Sequence, residues 1–541
     1  MRIALAQINC HIGNLSLNAD LIEKNLSRAK ESRADLVIFP ELAICGYPPM
    51  DLLESEEFIT NCEKAIADIA SRCTGITAII GGPSRNPSLK GKNLFNSAFV
   101  IADGKITDVV HKTLLPTYDV FDEYRYFEPN REFKTIKINQ TKIALTICED
   151  IWNEEDDPMY VFSPLEKLKD QGFTMIINIA ASPFDYNHRE KRISILSRNA
   201  IKYNTPLVYV NHTGAQNDLI FDGGSMVMEY SGAVLKELPY FESDLSFFDL
   251  NLLTSFPATK PKEKYERIRK ALVCGIRDYF QKCGFKNATL GLSGGIDSAL
   301  VAALATEALG PEHVHPVLMP SAFSSEHSVS DAMELASNLG LNATTIPINK
   351  IFDTFIEETK ASFRDKPFDL TEENIQSRIR GTILMALANK HGYVLLNTSN
   401  KSELAVGYGT LYGDMAGGIS VIGDLYKTEV YELCNHLNLK KQIIPKNIIT
   451  KAPSAELRPG QKDSDSLPDY EILDRLLFMI LEQKQGREGL LKYGFDKSLV
   501  EKVIQLVNRS EFKRFQFAPI LRVSTKAFGS GRRMPLVAKY T

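Results

Sequence analysis

No apolar run among the 541 residues approaches the roughly 18 that a membrane-spanning helix needs, which argues against a helical membrane protein. The opening Met1-Arg2-Ile3-Ala4-Leu5-Ala6-Gln7 alternates like a strand and lacks the charged region, long apolar stretch and cleavage site of a signal peptide, so a cytoplasmic location is expected. Charge of one sign is also missing. Lys and Arg (63) nearly balance Asp and Glu (67), and the basic cluster Gly531-Arg532-Arg533 is too short to make a polyanion surface, so neither nucleic acid nor a membrane is expected as a partner. The eight cysteines, at 10, 45, 62, 73, 148, 274, 283 and 434, include no CxxC pair for zinc or redox work and read mostly as reduced packing residues. Neither an internal repeat nor a low-complexity tract is present. Stretches 155–175 and 485–508 carry no interpretable motif.

What is there is an ordinary globular composition, 44% hydrophobic and 24% charged, on a chain longer than one core usually organises, so at least two domains are expected. Strand-like runs recur at 3–8, 35–39, 77–81, 98–102, 143–147, 175–180 and 207–211, with helical patterns such as 17–29 between several of them. They predict a layered α/β domain over 1–250. The charged stretch Lys260-Pro261-Lys262-Glu263-Lys264-Tyr265-Glu266 and the amphipathic helix after it read as a connector over 251–285. A second α/β series over 286–541, with strands near 289–292, 314–319, 344–348 and 393–397, predicts a parallel sheet wound by helices, with ligands at the strand carboxyl ends.

In the first half, three reactive residues stand near the ends of apolar runs: Glu41 after Leu36-Val37-Ile38-Phe39-Pro40, Lys112 in His111-Lys112-Thr113-Leu114-Leu115-Pro116, and Cys148 after Ile143-Ala144-Leu145-Thr146-Ile147. Singly, a cysteine there is more often a buried hydrophobe, and a lone Glu or Lys a solvated charge or cap. Jointly they supply a nucleophile, a carboxylate to take its proton, and an ammonium to stabilise an oxyanion and raise the thiolate fraction, which suffices for amide hydrolysis through a thioester. In the second half, Leu292-Ser293-Gly294-Gly295-Ile296-Asp297-Ser298 follows a strand and opens a helix. Glycines let the backbone wrap phosphate, and hydroxyls and amides donate to it beside a favourable helix dipole. The loop lacks the GxxxxGK[ST] of a Walker motif. Asn397-Thr398-Ser399-Asn400-Lys401-Ser402-Glu403 closes another strand, so Glu403 and Asp297 can both face the phosphate crevice and hold Mg²⁺ with ATP oxygens; the plain alternative for that segment is a helix cap.

The order Glu, Lys, Cys, with the blocks Phe39-Pro40-Glu41-Leu42, Ile147-Cys148-Glu149-Asp150 and Asn178-Ile179-Ala180-Ala181-Ser182-Pro183-Phe184, resembles the nitrilase superfamily over residues 1–250 and implies an αββα sandwich. The segment 115–127 resembles in particular the glutaminase domains of NAD synthetases, which implies that Tyr118 and Ser182 hold glutamine. Relatives usually carry a lysine six residues after that serine, where this chain has His188, so the grip on the glutamine carboxylate is expected to differ. The complete SGGIDS block resembles the N-type ATP pyrophosphatases, which cleave ATP between the α and β phosphates. Asn374-Ile375-Gln376-Ser377-Arg378-Ile379-Arg380, Thr410 to Gly418 and Asp424-Leu425-Tyr426-Lys427-Thr428 extend the likeness to NAD synthetases over about 286–541.

That resemblance implies a Rossmann-like doubly wound sheet, ATP at Gly291, Leu292, Ser293, Gly294, Gly295, Ile296, Asp297, Ser298 and Thr398, and deamido-NAD at Asn374, Glu403 and Lys513 with Arg378 and Asp414 nearby. It further implies Mg²⁺ at Asp297 and Glu403, and a mobile cover formed by Lys427 and the loop Ala452 to Leu457. It also implies an ammonia passage and a large homo-oligomer, with an octamer as its candidate size. Two rivals stay open. One is an ATP-dependent amidotransferase with another acceptor, which the blocks at 374–380 and 410–418 disfavour. The other is a degenerate regulatory subunit, against which the intact Glu41, Lys112, Cys148, Asp297 and Glu403 speak.

Overall fold

The computed structural model describes residues 1–88, 90–154, 158–250, 263–364 and 366–539. The chain divides into two compact units, Met1–Lys262 and Glu263–Thr541. Residues 251–262 of the expected connector lie outside the described residues, and its helix, Lys264–Cys283, packs within the second unit against the helices Ile296–Leu309 and Lys427–Leu437.

The first unit is the αββα sandwich. One six-stranded sheet runs Asp244–Asp249, Arg2–Gln7, Leu36–Ile38, Thr77–Arg85, Leu94–Ala102, Lys105–His111; the other runs Val234–Glu237, Met226–Met228, Leu207–Asn211, Met175–Ala180, Thr141–Ile147, Ile136–Ile138. Strand alternation distributes the apolar residues. Ile3 and Leu5 enter the core shared with Ile143 to Ile147 of the other sheet, while Ala4 and Ala6 join the core beneath the helices Leu15–Glu31 and Glu56–Arg72. Those two helices start on side-chain caps, Asn14 accepting from the Leu17 N–H and Ser55 from that of Phe58. Within each sheet the three central strands are parallel, and their carboxyl ends are followed by Glu41, Cys148 and Ser182.

In the second unit a five-stranded, wholly parallel sheet runs Thr344–Thr345, Val314–Leu318, Ala288–Gly291, Val394–Asn397, Ile419–Ser420. The chain starts in the middle, winds out to one edge and returns to the other side, which makes a topological switch between Ala288–Gly291 and Val394–Asn397. The strand expected over 344–348 is only two residues long because it forms the sheet edge, where Thr344 and Thr345 are exposed. The uninterpreted stretch 485–508 supplies two helices, Arg487–Lys492 and Lys497–Arg509, whose apolar faces pack with Tyr470–Leu481 into a separate core.

Candidate active sites

The triad residues of the first unit converge in its buried interior. Lys112 and Glu41 are fully buried and Cys148 is 5% exposed. The Lys112 ammonium donates to Glu41 Oε1 at 2.7 Å and to Glu123 Oε1 at 2.8 Å. Asn96 Nδ2 donates to the same Glu41 oxygen at 2.7 Å, the Ala181 N–H to the other at 2.8 Å, and the Tyr47 hydroxyl to Glu123 at 2.9 Å. Backbone shape makes this possible. Gly81 lies under the Glu41 turn so closely that an added Cβ would fall 2.3 Å from Leu42 N and 2.4 Å from Pro40 O. Cys148 has φ +43°, a left-handed conformation that costs a non-glycine residue energy and breaks the chain away from the strand end. Asp150 pins that turn by accepting from the N–H groups of Ile147, Thr113 and Leu114 at 2.8–3.0 Å, tying it to the segment that carries Lys112. Burial raises the Asp150 carboxyl to about 6 against those hydrogen bonds.

Lys112 acts on Cys148 in the expected direction, favouring the thiolate, while burial and the Glu41 charge act the other way and push the thiol well above its usual range. Burial also disfavours the charged form of Lys112, but Glu123 and Glu41 outweigh it and hold the ammonium charged. Burial raises the Glu123 carboxyl, with Lys112 opposing. Glu123, Asn96 and Tyr47 were not singled out in the sequence. Glu123 alone had a signal, since it lies in the quoted segment 115–127.

Tyr118, Ser182 and His188 surround the same strand ends. The hydroxyls of Tyr118 and Tyr160 both donate to Glu149, next to Cys148. Ser182 Oγ is 2.7 Å from His188 Nε2, while His188 Nδ1 is 3.4 Å from Asp185 Oδ2 and the ring stacks on Trp152. Arg189 is engaged by Glu237 in a two-pronged pair and Lys191 lies over Trp152, so His188 is the basic side chain at Ser182.

In the second unit, the loop Leu292–Gly295 and the residues Thr398 and Ser399 follow the two strands at the switch and line a cavity of about 290 Å³. Serine hydroxyls fold the loop onto itself: Ser293 Oγ accepts from the Gly295 N–H at 3.1 Å, and Ser298 Oγ from the Ser293 N–H at 3.3 Å. Gly294, at φ +77°, passes so close to the helix Glu326–Leu339 that a Cβ would meet Ser328 O at 2.2 Å. All eight residues Gly291–Ser298, with Thr398, Glu403, Asp414 and Lys427, line the cavity. Asp297 accepts from Lys427 Nζ and, on its other oxygen, from Asn400 Nδ2 at 2.9 Å, and Lys427 also reaches Glu403 at 3.6 Å. Burial raises the Glu403 carboxyl, Asp297 adds to the rise, and Lys427 opposes it.

Asn374, Arg378 and Lys513 are absent from that cavity wall and gather instead around the turn 407–416: Asn374 accepts from Thr410 Oγ1, Arg378 donates to Leu411 O, and Lys513 donates to the carbonyls of Gly407 and Gly409. Lys427, expected in a cover, is a buried residue that starts the helix Lys427–Leu437 and lines the cavity. The loop 452–457 does line the cavity, where Glu456 accepts from Ser325, Ser328 and Lys451. Arg380, two residues beyond Arg378, faces the cavity. Burial lowers it to about 10, its Nε donates to Met319 O at 3.0 Å, and its terminal nitrogens have no partner among the described residues. Helical spacing separates the two arginines, since positions 378 and 380 point to different sides of the helix Leu370–His391.

Family models match both units: carbon-nitrogen hydrolase over residues 2–255 and NAD synthase over 268–517. A glutamine-dependent NAD(+) synthetase of Synechocystis sp. is 48% identical with 99% of each chain covered. One from Thermotoga maritima is 40% identical, covering 100% of this chain and 99% of its own. The chain belongs to the glutamine-dependent NAD(+) synthetases. A solved member from Acinetobacter baumannii, in complex with ADP, superposes with a TM-score of 0.79 at 38% identity over 100% of this chain and 99% of its own. As a glutamine-dependent NAD(+) synthetase, the chain is an ATP-dependent amidating ligase with a nitrilase-type glutaminase unit. Among the described residues no helix is long and apolar enough to cross a membrane.

Proposed function

We propose that the first unit hydrolyses glutamine at Cys148 and the second adenylates deamido-NAD, which the released ammonia then amidates. The sum is deamido-NAD, ATP, glutamine and water giving NAD, AMP, pyrophosphate and glutamate. The observation that carries the division is the buried Lys112 ammonium bound to Glu41 and Glu123 beside the Cys148 thiol. Glu41 takes the thiol proton as Sγ attacks the side-chain amide, Lys112 stabilises the oxyanion, and the proton leaves on ammonia; water then releases glutamate from the thioester. Glu123 holds Lys112 charged and oriented. Tyr118, Ser182 and His188 bind the amino-acid end of glutamine.

In the second unit the loop 291–298 and Thr398 hold ATP, and Arg380 offers its free nitrogens to substrate anions. Asn374, Arg378, Glu403, Asp414 and Lys513 receive deamido-NAD. Asp297 and Glu403 fit Mg²⁺: both are hard oxygen donors converging on one point, and that ion is held by one or two carboxylates plus substrate phosphates. Bound there, Mg²⁺ would neutralise phosphate charge. The loop 452–457 keeps water from the acyl adenylate. Because ammonia is protonated at neutral pH once it mixes with water, the reading includes a protected passage, and with it a homo-oligomer whose candidate size is an octamer. Cys148→Ala should abolish glutamine-driven synthesis and preserve synthesis with added ammonium salt; loss of both in a folded variant refutes the division of labour.

A further inference from the structure

Two helices start against each other at the cavity wall. The backbone N–H of Lys427, first residue of Lys427–Leu437, donates to Ser402 Oγ at 2.9 Å, and Ser402 lies in the helix Lys401–Val406 that carries Glu403. This contact sets where the Lys427 ammonium goes. It is hydrogen-bonded to Asp297 Oδ2 and stands 3.6 Å from Glu403 Oε1, with its side chain 3% exposed and both carboxylates 18% exposed. The second Asp297 oxygen accepts from Asn400. The neighbouring Asp463 is engaged by the Tyr470 hydroxyl at 2.9 Å, and the Tyr470 ring lies 5.5 Å from the ammonium. One positive charge thus sits at the point common to the two carboxylates, where a divalent cation bridging them would have to be.

We propose that Lys427 holds the cation seat of the nucleotide-free enzyme, so that a divalent cation enters only together with a polyphosphate. The proposal rests on the reading of Asp297 and Glu403 as Mg²⁺ ligands. A cation arriving alone would have to expel a buried ammonium from its acceptors and leave it unpaired, while itself shedding water for only two carboxylates. A polyphosphate removes both costs at once. It offers Lys427 new anionic oxygens, which draw the ammonium off Asp297, and it completes the oxygen shell of the cation. Metal and nucleotide then bind with positive coupling, and by linkage each tightens the other by the same factor. Lys427 acts as a positioning residue that sets the order of loading, beyond any contact it makes with phosphate.

The test uses Mn²⁺, a hard divalent cation with the same preference for oxygen, and the full-length protein. Bound Mn²⁺ is read by electron paramagnetic resonance, with and without α,β-methylene-ATP, which resists cleavage between the α and β phosphates. Lys427→Met should bind Mn²⁺ at least tenfold more tightly than the parent without nucleotide, and the double variant Asp297→Asn/Lys427→Met should lose that gain. The unsubstituted protein gives a second readout: Mn²⁺ alone should leave its melting temperature unchanged, and Mn²⁺ with the analogue should raise it beyond the analogue alone. Equal nucleotide-free affinity for folded Lys427→Met and parent, or a melting shift of the parent with Mn²⁺ alone, overturns the proposal. If Asp297→Asn weakens the ternary Mn²⁺ complex in that case, the metal reading survives and only the seat-holding role falls. An Asp297→Asn protein that keeps ternary Mn²⁺ unchanged removes the metal reading and the proposal with it.

Discussion

His188 and Arg380 show how single side chains acquire meaning from their neighbours. His188 is placed by three partners, Asp185, the face of Trp152 and Ser182, with its Nε2 turned toward the serine hydroxyl. If it receives the glutamine carboxylate where relatives use lysine, His188→Lys should lower the glutamine half-saturation point by the worth of one charge-assisted hydrogen bond, about 1.5 to 3 kcal/mol at most. Ammonium-driven rates are the control and should not move. An unchanged saturation curve would show that His188 makes no contact with the substrate. Arg380 is a partly buried cation with only its Nε hydrogen-bonded among the described residues, a state tolerated where a ligand anion supplies the rest. Arg380→Met should weaken α,β-methylene-ATP or deamido-NAD binding by a comparable amount in calorimetry, and Arg378→Met should leave ATP-analogue binding unchanged. Among the triad, Glu41, Lys112 and Cys148 were legible because each follows or flanks an apolar run. Their electrostatics were not, because the thiol's proton affinity depends on burial and on Glu41, Glu123 and Glu149 meeting around it.

Elements were legible where they are buried on both faces. The strands 175–180 and 207–211 end at the expected residues, since continuous Val and Ile runs bounded by polar turns leave little choice of register. Lys105–His111 escaped notice because it is an edge strand of mixed, half-exposed residues that forms by pairing with Leu94–Ala102. Gly81 is an element-scale requirement of the site. In the strand Thr77–Arg85 it lets the Pro40–Leu42 turn lie directly on the sheet, and that approach seats Glu41 beside Lys112. Gly81→Ala should push the turn away, cost about 1 to 3 kcal/mol in chemical denaturation, and reduce glutamine hydrolysis while sparing ammonium-driven synthesis. Unaltered glutaminase activity in the variant would show that the turn can shift without moving Glu41.

At the scale of the whole chain, two units carry two chemistries, and the Asp297 position separates them. Asp297→Ala should stop NAD formation with either nitrogen source, because the lost carboxylate serves the adenylating pocket, while glutamine hydrolysis by Cys148 persists; glutamate release and NAD formation are measured side by side. An Asp297→Ala protein that still makes NAD would remove the assignment. The sequence alone determined the parts whose information is local in the chain: the alternation that makes a layered α/β domain first and a parallel wound sheet second, the SGGIDS loop, and the order Glu41, Lys112, Cys148. Only the tertiary structure decided what depends on residues far apart meeting in space. Glu123 bonds to Lys112, Arg380 lines the cavity wall, and Lys427 lies buried between Asp297 and Glu403. The reason is physical. Backbone pattern follows from neighbours a few residues away, whereas burial and the field of converging charges exist only after the chain has folded around them.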